Sequence, residues 1–363
     1  MGKREDKQHL DIAKSVLNNM SDGNLIEAKK FLDNLAEYKK LDKLYKTYII
    51  GTEHALANTG NGKIYSTYNM AGAVTGRLSN SGINVKKGGG KEGKLGVSFH
   101  TLPREQEDLS VNIRDFVVAP NGWKFVTVDK KAMEVRVLAH VAKEKNLIHA
   151  FESGIDLHTF SAAMTFNKKE EDVTKEERQI AKAVTFLTVY GGTHFTLAAK
   201  QNITEERAES IIAAWLEAFP GVSSYMEEVR EYLNEHKYVK TMFGRYRNLP
   251  NINSPVKSVR GRAFRQGLNF TIQSPASDIL LCALMGLSNR LKKEKMQAKI
   301  VATVHDSIEL ICPDEELDQV VAVIKDELTN YHYMREHFGI NLTVPMGIDI
   351  EVGTSFGNGV AVD

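Results

Sequence analysis

The stretch Glu177–Gly192, "ERQIAKAVTFLTVYGG", reads as a helix that stops at two glycines. At about 100° per residue, Arg178, Lys182, Phe186 and Tyr190 follow one another along a single stripe. Ile180, Ala183, Val184 and Leu187 occupy a separate apolar side suited to packing. Two cations one turn apart repel each other unless an anion lies over them. A triphosphate supplies that anion, and rings further along can stack on its base. The plainer meaning of the same pattern is a solvated basic edge followed by two core aromatics.

Two other stretches bear on that choice. "GWKFVTVD" alternates as a strand ending at Asp129, and "AMEVRVLAHVAKEKN" continues as helix. "KIVATV" and "IELIC" flank "HDS", which predicts a hairpin with His305 and Asp306 near its turn. Carboxylates presented from neighbouring strands make a hard-oxygen site for Mg²⁺, which takes one or two carboxylates plus substrate phosphates. Either aspartate alone is ordinarily a turn or cap residue. The two together, with the cationic helix, point to metal-assisted chemistry on a phosphorylated substrate.

The remaining sequence bounds the class. The 363 residues suffice for two or three subdomains. A net charge of +1 advertises no polyanionic partner, so nucleic-acid binding requires local clustering of the 47 Lys and Arg. Cys282 and Cys312 lie in apolar contexts with no zinc-type spacing, as core thiols of a reducing compartment do. "MGKREDKQHL" has no apolar signal region, and no uncharged run approaches a membrane span. A soluble, cytoplasmic protein without membrane contact is expected.

Residues 1–58 read as helices, and residues 59–103 are rich in turn residues. They include a flexible basic loop from Lys86 to Lys94. From Val173 to about Leu233 the pattern is helical throughout, with "TKEE" as a capping box and Pro220-Gly221 as a divider. "KTMFGRYRNLP" is a loop or short hairpin. Helices are predicted over Ser258–Asn269 and Ala276–Lys293, then an amphipathic helix from Asp314 and a last strand in "LTVPMGIDIEVG". Mixed strands with a large helical insertion indicate an α+β layer architecture.

Taken in order, these segments resemble family A DNA polymerases of the bacterial DNA polymerase I type. The opening helix matches that family's motif B at Arg178, Lys182, Phe186, Tyr190 and Gly191. "DKKAMEVRVLAH" resembles motif A at Asp129, Glu134 and Arg136, and "VHDS" resembles motif C at His305 and Asp306. "TGRLSN", "DLHTFSA", "FGRYRNLP", "NFTIQSPASDIL" and "VGTSFGN" extend the match from about residue 35 to the C-terminus.

The resemblance implies a right-hand polymerase fold with an antiparallel-sheet palm and a mostly helical fingers subdomain. Residues 59–140 and 266–363 would form the palm, residues 141–265 the fingers and residues 1–58 a thumb remnant. Asp129 and Asp306, with the Lys130 carbonyl, would hold two Mg²⁺ ions, for which Mn²⁺ can substitute. Arg178, Lys182 and His158 would bind the dNTP phosphates, with Lys182 protonating the departing pyrophosphate. Phe186 would pack on the incoming base, Tyr190 would lie by the template base, and Glu134 would exclude a 2′-hydroxyl. Arg77, Arg114, Arg265, Asn269, Gln273 and His305 match contacts to primer-template DNA. The length leaves no room for exonuclease domains, so a separate exonuclease or processivity subunit is a conceivable partner in a bacterial or phage-infected cell.

Five positions depart from the family pattern. Lys130, Lys131 and Ala132 replace Tyr-Ser-Gln, which puts two cations near the metals, and Leu187 replaces a small residue in the helix. Ser307 stands where the family usually has Glu, an ending shared with single-subunit phage RNA polymerases. An RNA polymerase is therefore a competing reading, opposed by the bulky Glu134. A non-catalytic DNA-binding subunit is another, opposed by the retention of both aspartates, Arg178 and Lys182.

Overall fold

The computed structural model describes residues 24–82, 84–86, 92–94, 96–103 and 112–362. The expected helix "LDIAKSVLNNM" and the centre of the Lys86–Lys94 loop lie outside these residues. The chain divides into two compact units, one of Met1–Tyr68 with Asn80–Arg114, the other of Asn69–Ser79 with Asp115–Asp363.

In the smaller unit, helix Asn24–Lys43 runs through a π-helical stretch, Leu44–Ile49, into helix Ile50–Thr59. The Tyr48 hydroxyl, on a buried ring, donates to the Thr101 carbonyl. Arg114 donates to the carbonyls of Pro103 and Leu102, both at 3.2 Å, and so fastens this segment.

The larger unit is built on a five-stranded sheet in the order Val360–Val362, Ile348–Gly353, Trp123–Lys130, Ser307–Pro313, Lys299–Val304. Every pairing in it is antiparallel. Strand alternation sends Val126 and Val128 of the central strand to one face, where both are fully buried. Thr127 and Asp129 point to the other face. The predicted hairpin forms, with Val304 paired to Ser307 across a two-residue turn of His305 and Asp306. His305 takes a left-handed φ of 58°, as a primed hairpin turn requires. The strand expected in "LTVPMGIDIEVG" begins only at Ile348, and it is not the last, since Val360–Val362 follows and pairs with it.

Four helices, Leu157–Phe166, Lys175–Tyr190, Glu205–Ala218 and Pro220–His236, pack around fully buried Trp215 and Phe219. Trp215 Nε1 donates to Ser161 Oγ at 2.9 Å, so the ring carries no unpaired donor into the core. The breaks between these helices follow local rules. Thr174 and Glu177 form the expected capping box, and Pro220 occupies a first-turn position. The reading of Ala132–Asn146 as one helix is corrected: Met133–Val141 ends before Lys145–Glu152 begins, because Lys143 adopts a left-handed φ of 49°.

A second correction concerns Lys257–Lys293, a single helix with Pro275 inside it rather than two helices. Proline removes one backbone donor and ordinarily breaks a helix. Here Phe270 and Ile272 before it, and Ile279, Ala283 and Leu287 after it, are all buried in the same core. Packing on both sides of the proline holds the two halves continuous. This helix is long and apolar enough to cross a membrane, but 78% of its apolar window is buried within the protein, as befits a core helix.

Leu287→Ala should lower unfolding free energy by about 2–5 kcal/mol in urea titration, since it opens a cavity under this helix. Met285, on the outward side at 48% exposure, should tolerate the same change to within about 0.5 kcal/mol. Equal losses would mean that the helix buries a different face.

Candidate active site

Asp129 is the penultimate residue of the central strand, and Asp306 lies in the turn of the adjoining hairpin. Val128 pairs with Ile308, so continuing that register sets Asp129 across from Ser307, the neighbour of Asp306. Residues far apart in the chain thus meet at one end of the sheet. Burial raises the pKa of the Asp306 carboxyl, and the negative charge of Glu134 raises it further. Arg77, Lys130 and His305 pull it the other way.

Glu134 lies in the first turn of helix Met133–Val141 and is only 5% exposed. The helix N-terminus favours its charge. Arg77 forms an ion pair with it, and Tyr190 Oη donates to Oε1 at 3.1 Å. Burial, then the Glu134 charge, pushes the Tyr190 phenol up to about 12, so it stays a donor at neutral pH. The loop carrying Arg77 is fastened to the long helix, where Ser277 Oγ donates to the Gly76 carbonyl at 2.9 Å. Gly76, at φ 75°, lies against the Arg245 guanidinium, which itself pairs with Asp278 at 2.7 Å.

The stripe on Lys175–Tyr190 borders this cluster through Tyr190. Phe186 and Tyr190 stack at 6.2 Å between centroids, and His158 lies 6.0 Å from Phe186. Burial lowers the pKa of the His158 imidazole, and the Lys182 and Arg178 cations lower it further, so the imidazole shares one neighbourhood with two positive charges. Arg178 makes a two-pronged contact with Asp156, at 2.9 and 3.0 Å. Asp156 also caps helix Leu157–Phe166 by accepting from the Thr159 amide at 2.8 Å. Arg178 holds the Asp156 carboxyl well below the usual carboxylate range.

Behind the C-terminal end of the stripe lies the long helix. Gly191 has φ 66°, and a Cβ there would lie 2.9 Å from Arg265 Cβ, so only glycine fits. Asn269 Nδ2 donates to the Val189 carbonyl at 3.2 Å, and Gln273, one turn on, is buried. His305 is exposed at the hairpin turn. Arg114 belongs to the smaller unit and donates to carbonyls there.

Of the two cations expected near the metals, Lys130 lies close enough to act on Asp306, and both lysines are engaged by other groups. Lys131 pairs with Asp349 at 2.6 Å. The Lys130 side chain turns to the opposite face from Asp129, where its buried Nζ lies 5.1 Å from the Tyr331 ring centroid. Burial pushes that ammonium down to about 7. Alternation along the strand explains this placement: residue 130 must face the side that Val128 faces.

The donor set fits a divalent cation. Asp306 sits where burial and a neighbouring carboxylate both disfavour its charge, and Arg77 is already committed to Glu134. Among the described residues no group of three or more His, Cys, Asp or Glu side chains forms a metal cage, so the protein would offer the ion two carboxylates, with water filling the other positions until substrate binds. That suits Mg²⁺, which completes its shell with substrate phosphates and water.

Two features escaped sequence reasoning. Asp156 as partner of Arg178 was visible only as an N-cap signal two residues before His158. Fully buried Glu309, which accepts from Thr127, carried no sequence signal beyond an acid inside an apolar strand.

The DNA polymerase family A model matches residues 1–358 of the chain. DNA polymerase I of Geobacillus stearothermophilus is 33% identical over 327 residues, which is 90% of this chain and 35% of that protein. The thermostable DNA polymerase I of Thermus thermophilus is 31% identical over 329 residues, 91% of this chain and 36% of that protein. The chain therefore spans about a third of the length of the curated relatives it matches. The POL domain of Pol1 from M. smegmatis, solved in complex with DNA primer-template and dNTP, aligns with a TM-score of 0.78. The alignment has 26% identity and covers 95% of this chain and 56% of that one.

The Asp156–Arg178 pair adds stability above the unfolded carboxylate pKa of about 4, and that stability is lost as pH falls toward the depressed folded value. Asp156→Asn, which keeps a capping side chain, should therefore flatten the fall in Tm below about pH 4. At neutral pH its effect should be small, because both side chains are partly exposed to solvent. An acid limb as steep as that of the native chain would refute the assignment.

Proposed function

The chain belongs to DNA polymerase family A, whose members use divalent metal ions, and on that premise we propose that it is a template-directed DNA polymerase extending a primer 3′-hydroxyl with dNTPs. Its mixed α/β fold is that of a right-hand polymerase domain. The observation that carries the reading is the meeting of Asp129 and Asp306 at one sheet end, bordered by the Arg77–Glu134–Tyr190 cluster. In this reading residues 59–140 and 266–363 are palm, residues 141–265 fingers and residues 1–58 thumb, and the protein works in the cytoplasm.

Asp129 and Asp306, with the Lys130 carbonyl, are the groups that would hold two Mg²⁺ ions. When bound, such ions lower the pKa of the primer hydroxyl and stabilise charge on the departing pyrophosphate, and Mn²⁺ can serve in their place. Arg178, Lys182 and His158 bind the triphosphate, which must take Asp156's place on the Arg178 guanidinium. Lys182 is exposed on the same stripe, free to give a proton to the leaving oxygen. Phe186 stacks on the incoming base, and the half-exposed Tyr190 ring and Gly191 lie by the template base. Glu134, immobilised by Arg77 and Tyr190, fills the volume beneath the sugar and excludes a 2′-hydroxyl. Arg77, Arg114, Arg265, Asn269, Gln273 and His305 contact primer or template. Minor-groove acceptors occur in every base pair, so donors placed there test pairing geometry rather than sequence.

Primer extension tests the reading directly. The native chain should incorporate dNTPs in a metal-dependent, template-directed manner, and preferential use of rNTPs would favour an RNA polymerase instead. Asp129→Asn and Asp306→Asn should each abolish incorporation while leaving DNA binding largely intact. Lys182→Ala should slow incorporation by about a hundredfold or more. Glu134→Ala should admit ribonucleotides, and unchanged sugar selectivity would remove Glu134 from this role.

A further inference from the structure

Ser307 stands where the motif C pattern has a carboxylate, and the strand supplies another acid two residues further on. Residues two apart on a strand share a face, so Glu309 projects on the same side as Ser307. Its side chain is fully buried. Ser307 Oγ lies 2.5 Å from Glu309 Oε1, and Thr127 Oγ1 donates to Oε2 at 2.6 Å. Ser307 Oγ also lies 2.9 Å from the Val304 carbonyl, so its single proton has two acceptors in reach and the nearer is the carboxylate.

The placement of these donors is informative. Thr127 is the cross-strand partner of Glu309 and stands two residues before Asp129, on the same face. Ser307 directly follows Asp306. One carboxylate therefore accepts a hydroxyl from each of the two strand ends that present the aspartates. Hydroxyl donors at 2.5–2.6 Å fall in the short range of charge-assisted hydrogen bonds. A buried negative charge behind two further acids is unfavourable by itself and becomes favourable with a cation in front of them.

We propose that Glu309 is a positioning residue of the two-aspartate centre. It ties the Asp129 strand to the Asp306 strand and adds negative charge behind the divalent-cation site, in the manner of partners that orient metal ligands elsewhere. The acid absent at position 307 is thereby present on the same strand face, shifted inward by two residues. The inference rests on the polymerase reading above, since it assigns Glu309 a role toward the metal that reading requires.

The test is Mn²⁺ binding to the whole chain without DNA or nucleotide, followed by the EPR signal of free Mn²⁺. Glu309→Gln should weaken binding by about tenfold. Its Tm should stay close to native, and its dNTP KM at saturating Mg²⁺ should not change. Moving the acid forward, in the double variant Ser307→Glu with Glu309→Gln, should restore binding. Native Mn²⁺ affinity in Glu309→Gln would overturn the proposal. So would a loss of affinity that the double variant fails to recover. If Glu309→Gln does not fold, Thr127→Val and Ser307→Ala decide, because each removes one hydroxyl and leaves the carboxylate. Weakened binding in both supports the proposal, and unchanged binding in either overturns it. Primer extension by the native chain judges the polymerase reading separately, because the Mn²⁺ titration needs neither substrate.

Discussion

The constraint behind this structure is the gathering of like charge at one end of a buried sheet. Asp306 is half-buried, Glu134 is nearly fully buried and within electrostatic reach of it, and Asp129 lies one residue from the end of the adjacent strand. Acids so placed repel one another and resist desolvation, so the surrounding fold must supply compensation. Arg77 meets Glu134, the N-terminus of helix Met133–Val141 adds a partial positive charge, and Tyr190 donates a hydrogen bond. Those partners come from a loop, a strand–helix junction and the C-terminal end of helix Lys175–Tyr190. The long helix Lys257–Lys293 anchors two of them, by bonds to the Gly76 carbonyl and to the Val189 carbonyl. Even with these partners the Asp306 carboxyl keeps a raised pKa, so added positive charge beside it would be favourable.

Much of this was legible in the sequence because it obeys short-range rules. The alternation of "GWKFVTVD" marked the central strand to within one residue of its end, and the turn at His305-Asp306 followed from two apolar runs separated by polar residues. The capping box at Thr174 and the terminating Gly191 bounded the motif B helix correctly. Failures occurred where tertiary packing overrode a local signal. Pro275 looked like a helix end until apolar side chains on both sides of it were seen to share one core. Lys130 and Lys131 looked like a cationic pair, yet strand alternation sends one into the interior and leaves the other to Asp349.

The partners of functional groups were least legible, since hydrogen-bond pairing across distant segments leaves no periodic trace. Nothing in "DLHTFSA" distinguishes Asp156 as a helix cap from Asp156 as the clamp on Arg178, and it is both. Likewise Glu309 resembles an intrusion into an apolar strand until Thr127 and Ser307 are seen on either side of it. Motif resemblance singled out the candidate groups, and only the folded structure reveals what restrains them.

Under the proposed reading of Arg178 as a phosphate-binding residue, the Asp156–Arg178 contact would make nucleotide binding an exchange rather than a simple capture. A tethered carboxylate competes for the same guanidinium, so observed affinity is the intrinsic affinity scaled by the fraction of time that Arg178 is unoccupied. Added electrolyte screens both rivals at once. Sensitivity to ionic strength at this helix is consequently muted relative to an arginine that waits unpaired. A ligand bearing little charge gains no foothold, because it cannot displace the resident anion.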